Sequence, residues 1–147
     1  MDDSGMRLDD MLCFPLYATS RAVTRTYGLL LAGLDLTYPQ YLVMLALWES
    51  SPMSVRELGE RLHLDSGTLS PLLKRLESAG RVVRTRDTED ERRVLVSLTA
   101  EGRELEERAA GVPGELGRAM GISLAEVVEL RERLSVLLSH LEATRLD

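Results

Sequence analysis

SPMSVRELGERLHLDSGTLSPLLKRLESAG, Ser51–Gly80, decides the fold. Ser54 with Glu57 three positions on has the spacing of a capping box. There the hydroxyl accepts an orphan N–H of the first helical turn and the carboxylate reaches back to the cap. Val55, Leu58 and Leu62 then fall on one face at helical spacing. His63–Ser66 is a short polar break. Beyond it Leu69, Leu72, Leu73 and Leu76 follow the i, i+3, i+4, i+7 pattern, and Gly80 closes the segment. The stretch predicts two short helices joined by a tight turn.

Immediately after it, RVVRTRDTEDERRVLVSLT (Arg81–Thr99) changes period. Val94, Val96 and Leu98 alternate as in a strand, Val82 and Val83 begin its partner, and the tip DTEDER carries no apolar residue, so it stands in solvent. Upstream, LTYPQYLVMLALWE (Leu36–Glu49) pairs Thr37 with Gln40 as a second capping box, with Pro39 in the first turn where its missing N–H is harmless. Its apolar run from Tyr41 to Trp48 predicts the central buried helix. An earlier helix is expected from about Leu8 or Pro15 to Ala32, stopping at Gly33. Downstream, Thr99 caps a polar helix from Ala100 to about Ala110, and GVPGELGRAMG (Gly111–Gly121) reads as a break. Ser123 with Glu126 caps a last helix whose apolar set (Leu124, Val127, Val128, Leu134, Leu137, Leu138, Leu141) is broad enough to need a partner. Six helical segments and one hairpin make a mainly α chain with a small β-hairpin wing: a winged helix-turn-helix. The expected organisation is a helical dimerisation region, 1–36 with 112–147, around a DNA-binding lobe at 37–111, as one intertwined unit.

Length and composition agree with one domain: 147 residues, 44% hydrophobic and 29% charged. No apolar run approaches the roughly 18 residues of a membrane span, and the acidic start MDDSGMRLDD is no signal peptide. A single cysteine forms no internal disulfide. These features lead to an expectation of a cytoplasmic protein without a membrane partner. The net charge of −6 argues at first against nucleic acid. Its distribution does not: Ser54–Leu98 holds nine Arg or Lys against eight Asp or Glu, and the remainder nine against sixteen. A local basic face matters more for phosphate contact than the total.

In a helix-turn-helix the second helix enters the major groove with its N-terminal residues toward base edges. Here those are Ser66, Gly67, Thr68 and Ser70, with Lys74 and Arg75 a turn further on. Arg92 and Arg93 at the hairpin tip, opposite Arg84 and Arg86, suit a narrow minor groove. Pro71 lies inside the recognition helix and removes one backbone hydrogen bond. The competing reading is a helix-turn-helix that binds only protein, with the charges as a solvated loop.

LCFPLYATSRAVTRTY, LTYPQYLVMLALWE, LDSGTLSPLLKRLESAG and TEDERRVLVSLTAEG together resemble the MarR family of transcription regulators, and more closely its organic-hydroperoxide-sensing repressors, the OhrR group. The resemblance spans roughly Leu12 to Pro113. It implies a homodimer joined by the first and last helices, a pseudo-palindromic double-stranded DNA operator, and repression rather than enzymatic activity. By position it makes Asp90 the residue that holds the wing and Arg92 the one that enters the minor groove. It sets Asp65, at the start of the recognition helix, to pair with a wing arginine.

The lone cysteine, Cys13, is by default a small buried hydrophobe. As a working thiol it would need thiolate character and access, and a place near the start of a helix favours an anion. Pro15 at the first helical position would put Cys13 just ahead of that helix. The resemblance implies that Cys13 is the peroxide sensor, held by the hydroxyls of Tyr27 and Tyr38, with Tyr17 engaging after oxidation. Cys13 and Tyr27 are roughly 21 Å apart along one helix at 1.5 Å per residue, so Tyr27 and Tyr38 must then come from the other subunit. Tyr17, four residues on, lies on the face of Cys13. Lacking a second cysteine, an oxidised Cys13 would be trapped by a low-molecular-weight thiol, by a backbone nitrogen, or by over-oxidation. His63 and His140 have no metal-ligand spacing, and LDSGTLS lacks the lysine of a phosphate loop, so neither metal nor cofactor is expected. A regulator that answers a bound aromatic or phenolic ligand is the alternative, and a thiol peroxidase is a weaker third.

Overall fold

The computed structural model describes residues 6–144. A short 3-10 turn at Leu8–Asp10 precedes α1 (Cys13–Leu31), and a second at Ala32–Leu34 leads to α2 (Tyr38–Glu49). Then follow β1 (Met53–Ser54), α3 (Val55–Leu62), α4 (Ser66–Ser78), β2 (Val82–Arg86), β3 (Val94–Leu98), α5 (Ala100–Ala109), α6 (Val112–Met120) and α7 (Leu124–Ala143). The chain divides into two compact units, Met1–Val112 and Pro113–Asp147.

The first unit is built around α2. Tyr41, Val43, Met44, Ala46 and Leu47 are buried on it, which is why its composition shows no polar face. Against them pack Leu58 of α3, Leu69, Leu72, Leu73 and Leu76 of α4, Val82 and Val96 of the sheet, and Leu105 and Ala109 of α5. Burying each such Leu or Val side chain contributes about 1.5–3 kcal/mol. The two predicted capping boxes are formed. Thr37 Oγ1 accepts the Gln40 N–H while Gln40 Oε1 accepts the Thr37 N–H, and Ser54 and Glu57 do the same for α3.

The turn between α3 and α4 is tight because Gly59 has no Cβ. Its carbonyl accepts the Leu64 N–H at 2.9 Å, and a Cβ at 59 would lie 2.9 Å from Leu64 O. His63 takes the left-handed conformation at the end of α3, and Asp65 caps α4 by accepting the Thr68 N–H at 2.8 Å. Pro71 sits within α4 without interrupting it. The carbonyl it deprives of a helical partner is that of Gly67, in the exposed first turn. Gly80, at φ +75°, ends the segment as its sequence position implies.

The sheet is antiparallel in the order β1-β3-β2. β2 and β3 pair Val82 with Leu98, Arg84 with Val96 and Arg86 with Val94. The alternation predicted for β3 buries only Val96; Val94 and Leu98 are half-buried. β1 adds a third strand that the sequence reading lacks, pairing Met53 with Val96 and Ser54 with Leu95. Two residues are too few to display a period. α5 passes so close to β2 that Gly102 is obligatory, since a Cβ there would lie 2.0 Å from Arg81 O.

Three expectations are corrected. The first helix is not stopped by Gly33. The chain runs through a 3-10 turn, and Asp35 takes the left-handed position (φ 54°), which Asp tolerates better than most side chains. Cys13 is not ahead of α1 but is its first residue, with Leu12 as the cap and Pro15 in the first turn. Finally, the Gly111–Gly121 break is a helix, α6. Pro113 is its second residue, where no N–H is needed, and Val112 and Leu116, one turn apart, are both buried.

In the second unit the Ser123–Glu126 capping box opens α7 as predicted, with the Glu126 N–H donated to Ser123 Oγ and the Ser123 N–H to Glu126 Oε2. No residue of this 20-residue helix is buried.

Candidate DNA-contacting surface and thiol site

The leucines of α4 turn inward, so its other face is presented to solvent: Ser66, Thr68, Ser70, Lys74 and Arg75 are all exposed. The Asp65 carboxylate is held below its ordinary range by the Thr68 backbone N–H it accepts, so the cap is charged at neutral pH. The expected pairing of Asp65 with a wing arginine is not formed; each of the four wing arginines donates to another acceptor.

Those acceptors divide the wing into a tip and two supports. At the tip, the Arg92 N–H and the Arg92 Nε–H are donated to Asp90 Oδ1 at 3.1 and 3.3 Å, and the Arg93 N–H to Asp90 O at 2.9 Å. Asp90 thus shapes the turn. The Arg92 side chain is 93% exposed, and Arg86 Nη1 donates across the loop to Glu91 O at 2.8 Å. Lower down, Arg93 Nη2 donates to Glu57 Oε1 at 2.7 Å and Nη1 lies 3.6 Å from Asp87 Oδ2. Arg84 donates its backbone N–H to Glu77 Oε2 at 2.9 Å and its Nη2 to Oε1 at 3.3 Å. The period of two explains the second support: Val82 and Arg84 share a face of β2, and that face meets the end of α4. Backbone N–H groups, of Ser54 on Glu57 and of Arg84 on Glu77, are the main reason both carboxyls titrate below the usual range. Sequence reasoning had no signal for Glu57 or Glu77 here beyond the capping role of the former.

At the other site, Cys13 is exposed at the first position of α1. Tyr17, a turn on, is exposed and accepts a hydrogen bond from Arg21 Nη1 at 3.3 Å, with that guanidinium 5.5 Å from its ring centre. Tyr27 lies fourteen residues along the helix from Cys13, so the two are not brought together within the chain. Tyr27 and Tyr38 are brought together. Their rings stack at 4.2 Å and 10°, and Tyr41 leans on Tyr27 at 5.5 Å. Burial, then the neighbouring phenols Tyr38 and Tyr41, push the Tyr27 hydroxyl up to about 12, and burial raises Tyr38. Both phenols keep their protons at neutral pH, as hydroxyls able to donate. A stacked pair of donors is suited to an anion such as a thiolate.

A family model described as transcriptional regulator SarA/Rot matches residues 25–108. The organic hydroperoxide resistance transcriptional regulator of Bacillus subtilis is 47% identical over 137 residues, 93% of this chain and 91% of its own. The regulator TtmR of Methylorubrum extorquens is 48% identical over 141 residues, 96% of this chain and 72% of its own. Among solved structures, reduced AbfR bound to DNA is 37% identical with a TM-score of 0.79, over 92% of this chain and 95% of that one. AbfR, a Staphylococcus epidermidis protein, is also known overoxidized on DNA and in a disulfide form, the latter at a TM-score of 0.64. These relatives are regulators rather than enzymes. Likeness of this extent, over nearly the whole chain and on the same winged fold, makes the protein a member of the MarR family of transcriptional regulators, in its organic-hydroperoxide-resistance group.

Proposed function

We propose that the chain is a homodimeric repressor that releases its operator when an organic hydroperoxide oxidises Cys13. The observation that carries this reading is the separation of the sensor's parts. Two protonated phenols, Tyr27 toward the end of α1 and Tyr38 at the start of α2, stack at 4.2 Å, and an exposed thiol opens α1 at its other end. Neither has the other as a partner within the chain. A two-fold axis that runs α1 against its copy brings each thiol to the other subunit's tyrosines. Apolar side chains exposed at the cap of α1 (Leu12) and along it (Phe14, Leu29) support such a pairing, and α7, in its own unit, separately exposes Leu124, Leu130, Leu134 and Leu141.

Each subunit presents Ser66, Thr68, Ser70, Lys74 and Arg75 to a major-groove half-site and Arg92 to the adjacent minor groove, on a pseudo-palindromic duplex. The thiolate of Cys13 attacks the peroxide oxygen, the O–O bond breaks, and an alcohol leaves after taking a proton. The sulfenic acid then condenses with a low-molecular-weight thiol, giving a mixed disulfide and water. Tyr17, one turn from Cys13 and exposed, meets the enlarged side chain in this reading. That AbfR is known on DNA when overoxidized puts the weight on the disulfide step, not on oxygen addition alone, as what shifts the subunits.

The test is operator binding by wild type and Cys13→Ser, at stated salt, with and without one equivalent of organic hydroperoxide plus a small thiol. Release by wild type alone supports the reading. Equal retention by both means that Cys13 is not the switch and that the signal is another, such as a bound aromatic ligand.

A further inference from the structure

We infer that Glu57 and Arg93 act as one positioning brace that fixes the angle of the wing to the helix-turn-helix, so that Arg93, despite its place beside the tip, is not a DNA contact. The inference rests on the DNA-binding reading above.

The observations are geometric. Arg93 reaches over 36 residues of chain to donate to Glu57 Oε1 at 2.7 Å. Glu57 is not a loose surface carboxylate. Its other oxygen accepts the Ser54 N–H at 3.0 Å as part of the capping box, so the acceptor is anchored at the first turn of α3. Arg93 is fixed as well. Asp87 lies 3.6 Å from its other nitrogen, with the Asp87 side chain only 14% exposed, and the Arg93 backbone pairs with Asp87 N–H and Asp90 O. Ser54, which binds Glu57, also belongs to β1 and pairs with Leu95, two residues beyond Arg93. Ion pair, cap and strand therefore close one small ring joining α3 to the base of the wing. Both nitrogens of the guanidinium that would reach a phosphate are turned toward carboxylates. Arg92, one residue earlier, has its side chain 93% exposed. The tip thus presents one arginine and spends its neighbour on aim.

The consequence can be read in binding. A surface ion pair contributes little stability, so Glu57→Gln and Arg93→Gln should both fold normally. Gln also serves at the third position of a capping box. If the pair is a brace, removing either half leaves the wing equally loose. If Arg93 instead touches phosphate, the two changes diverge: Arg93→Gln loses a cation, and Glu57→Gln releases one.

The experiment uses the full-length reduced protein and a duplex enriched from random-sequence DNA by the wild type. Affinity is measured across a salt series for wild type, Glu57→Gln, Arg93→Gln, the double variant and Arg92→Gln, with circular dichroism to check folding. The brace predicts that Glu57→Gln and Arg93→Gln weaken binding by the same factor, about 5-fold, with the same salt slope, and that the double variant is no weaker than either. Arg92→Gln should lose about 0.9 in slope, one phosphate contact. The inference is overturned if Glu57→Gln binds as wild type or tighter, or if Arg93→Gln loses about 0.9 more slope than Glu57→Gln. Failure of the wild type to enrich any duplex overturns the DNA-binding reading itself, and the brace with it.

Discussion

The recognition helix and the last helix are both leucine-rich, and the fold treats them in opposite ways. α4 buries Leu69, Leu72, Leu73 and Leu76 within its own unit, while α7, longer by seven residues, buries none. The difference is one of partner, not of composition. The face of α4 is completed by α2 and α3 of the same chain. That of α7 leaves Leu134, Leu138 and Leu141, spaced i, i+4, i+7, in solvent. A helix whose stripe is covered intramolecularly is stable at any concentration. In the proposed dimer a second copy covers the stripe of α7, and stability then depends on concentration.

The sharpest way to break this contrast is to cut both stripes. Leu73→Ala, at a fully buried site, should lower the unfolding free energy by about 2–5 kcal/mol at every protein concentration. Leu134→Asp with Leu138→Asp should instead shift the protein toward monomer in light scattering and abolish the rise of Tm with concentration expected of the wild type, so that the loss grows with concentration. A concentration-independent loss from the α7 change would show that α7 is stabilised within its own chain.

Glycines sharpen the same comparison at a smaller scale. Gly102→Ala puts a methyl 2.0 Å from Arg81 O, inside the first unit, and backbone must move; a cost of about 1–3 kcal/mol is expected in denaturant unfolding. Gly28 on α1 has nothing within 4 Å of where its Cβ would be. In a lone chain Gly28→Ala should therefore stabilise by up to about 1 kcal/mol. If it instead weakens self-association, another subunit comes close to α1 at that point.

Much of the lobe was legible because its signals are local. Three capping boxes, the leucine stripe of α4 and the change of period at Arg81 each occupy fewer than a dozen residues and mean one thing physically. α6 was not legible. Pro113, Gly114 and Gly117 lower helix propensity, and the burial of Val112 and Leu116 that overrides it is a tertiary fact. The wing illustrates the same limit in the site. Charge alone marked Arg84, Arg86, Arg92 and Arg93 alike, whereas the structure sorts them by their acceptors, two of which, the Glu57 and Glu77 carboxylates, belong to the helix-turn-helix. Similarly, the stacking of Tyr27 on Tyr38 joins two elements and follows from no spacing. The roles proposed for Cys13 and the tyrosines come only from the family resemblance, since a lone cysteine has no pattern.

That stacked pair also has a pH signature. Unfolded tyrosine loses its proton near pH 10, whereas Tyr27 in the fold holds it to about 12. Between these values unfolding releases a proton, so the stability present below pH 10 is lost as pH rises through that window. Tm should fall more steeply from pH 10 to 12 in wild type than in Tyr27→Phe. Parallel curves would mean that Tyr27 is no more buried than an ordinary surface phenol.

The smallest effects come from the caps of α3 and α7. Ser54→Ala and Ser123→Ala each remove an acceptor from a helix's first turn, a loss of about 0.5–2 kcal/mol. Ser54 is 3% exposed and belongs to a strand, so its loss is felt by α3, the sheet and the wing together. Ser123 is exposed, and its loss frays one turn of α7. Ser54→Ala should therefore fall at the upper end of that range and Ser123→Ala at the lower. Both boxes contain a glutamate held below its ordinary value of 4.5, chiefly by the N–H of the cap residue. As pH falls below 4.5 the unfolded chain takes up the proton first, so each box's contribution is present above that pH and fades below it. Glu126→Gln should flatten the acid limb of the stability curve without moving its neutral plateau. An unchanged acid limb would show that the Glu126 carboxylate, and with it the charge at the start of α7, adds nothing to the helix that a neutral amide does not.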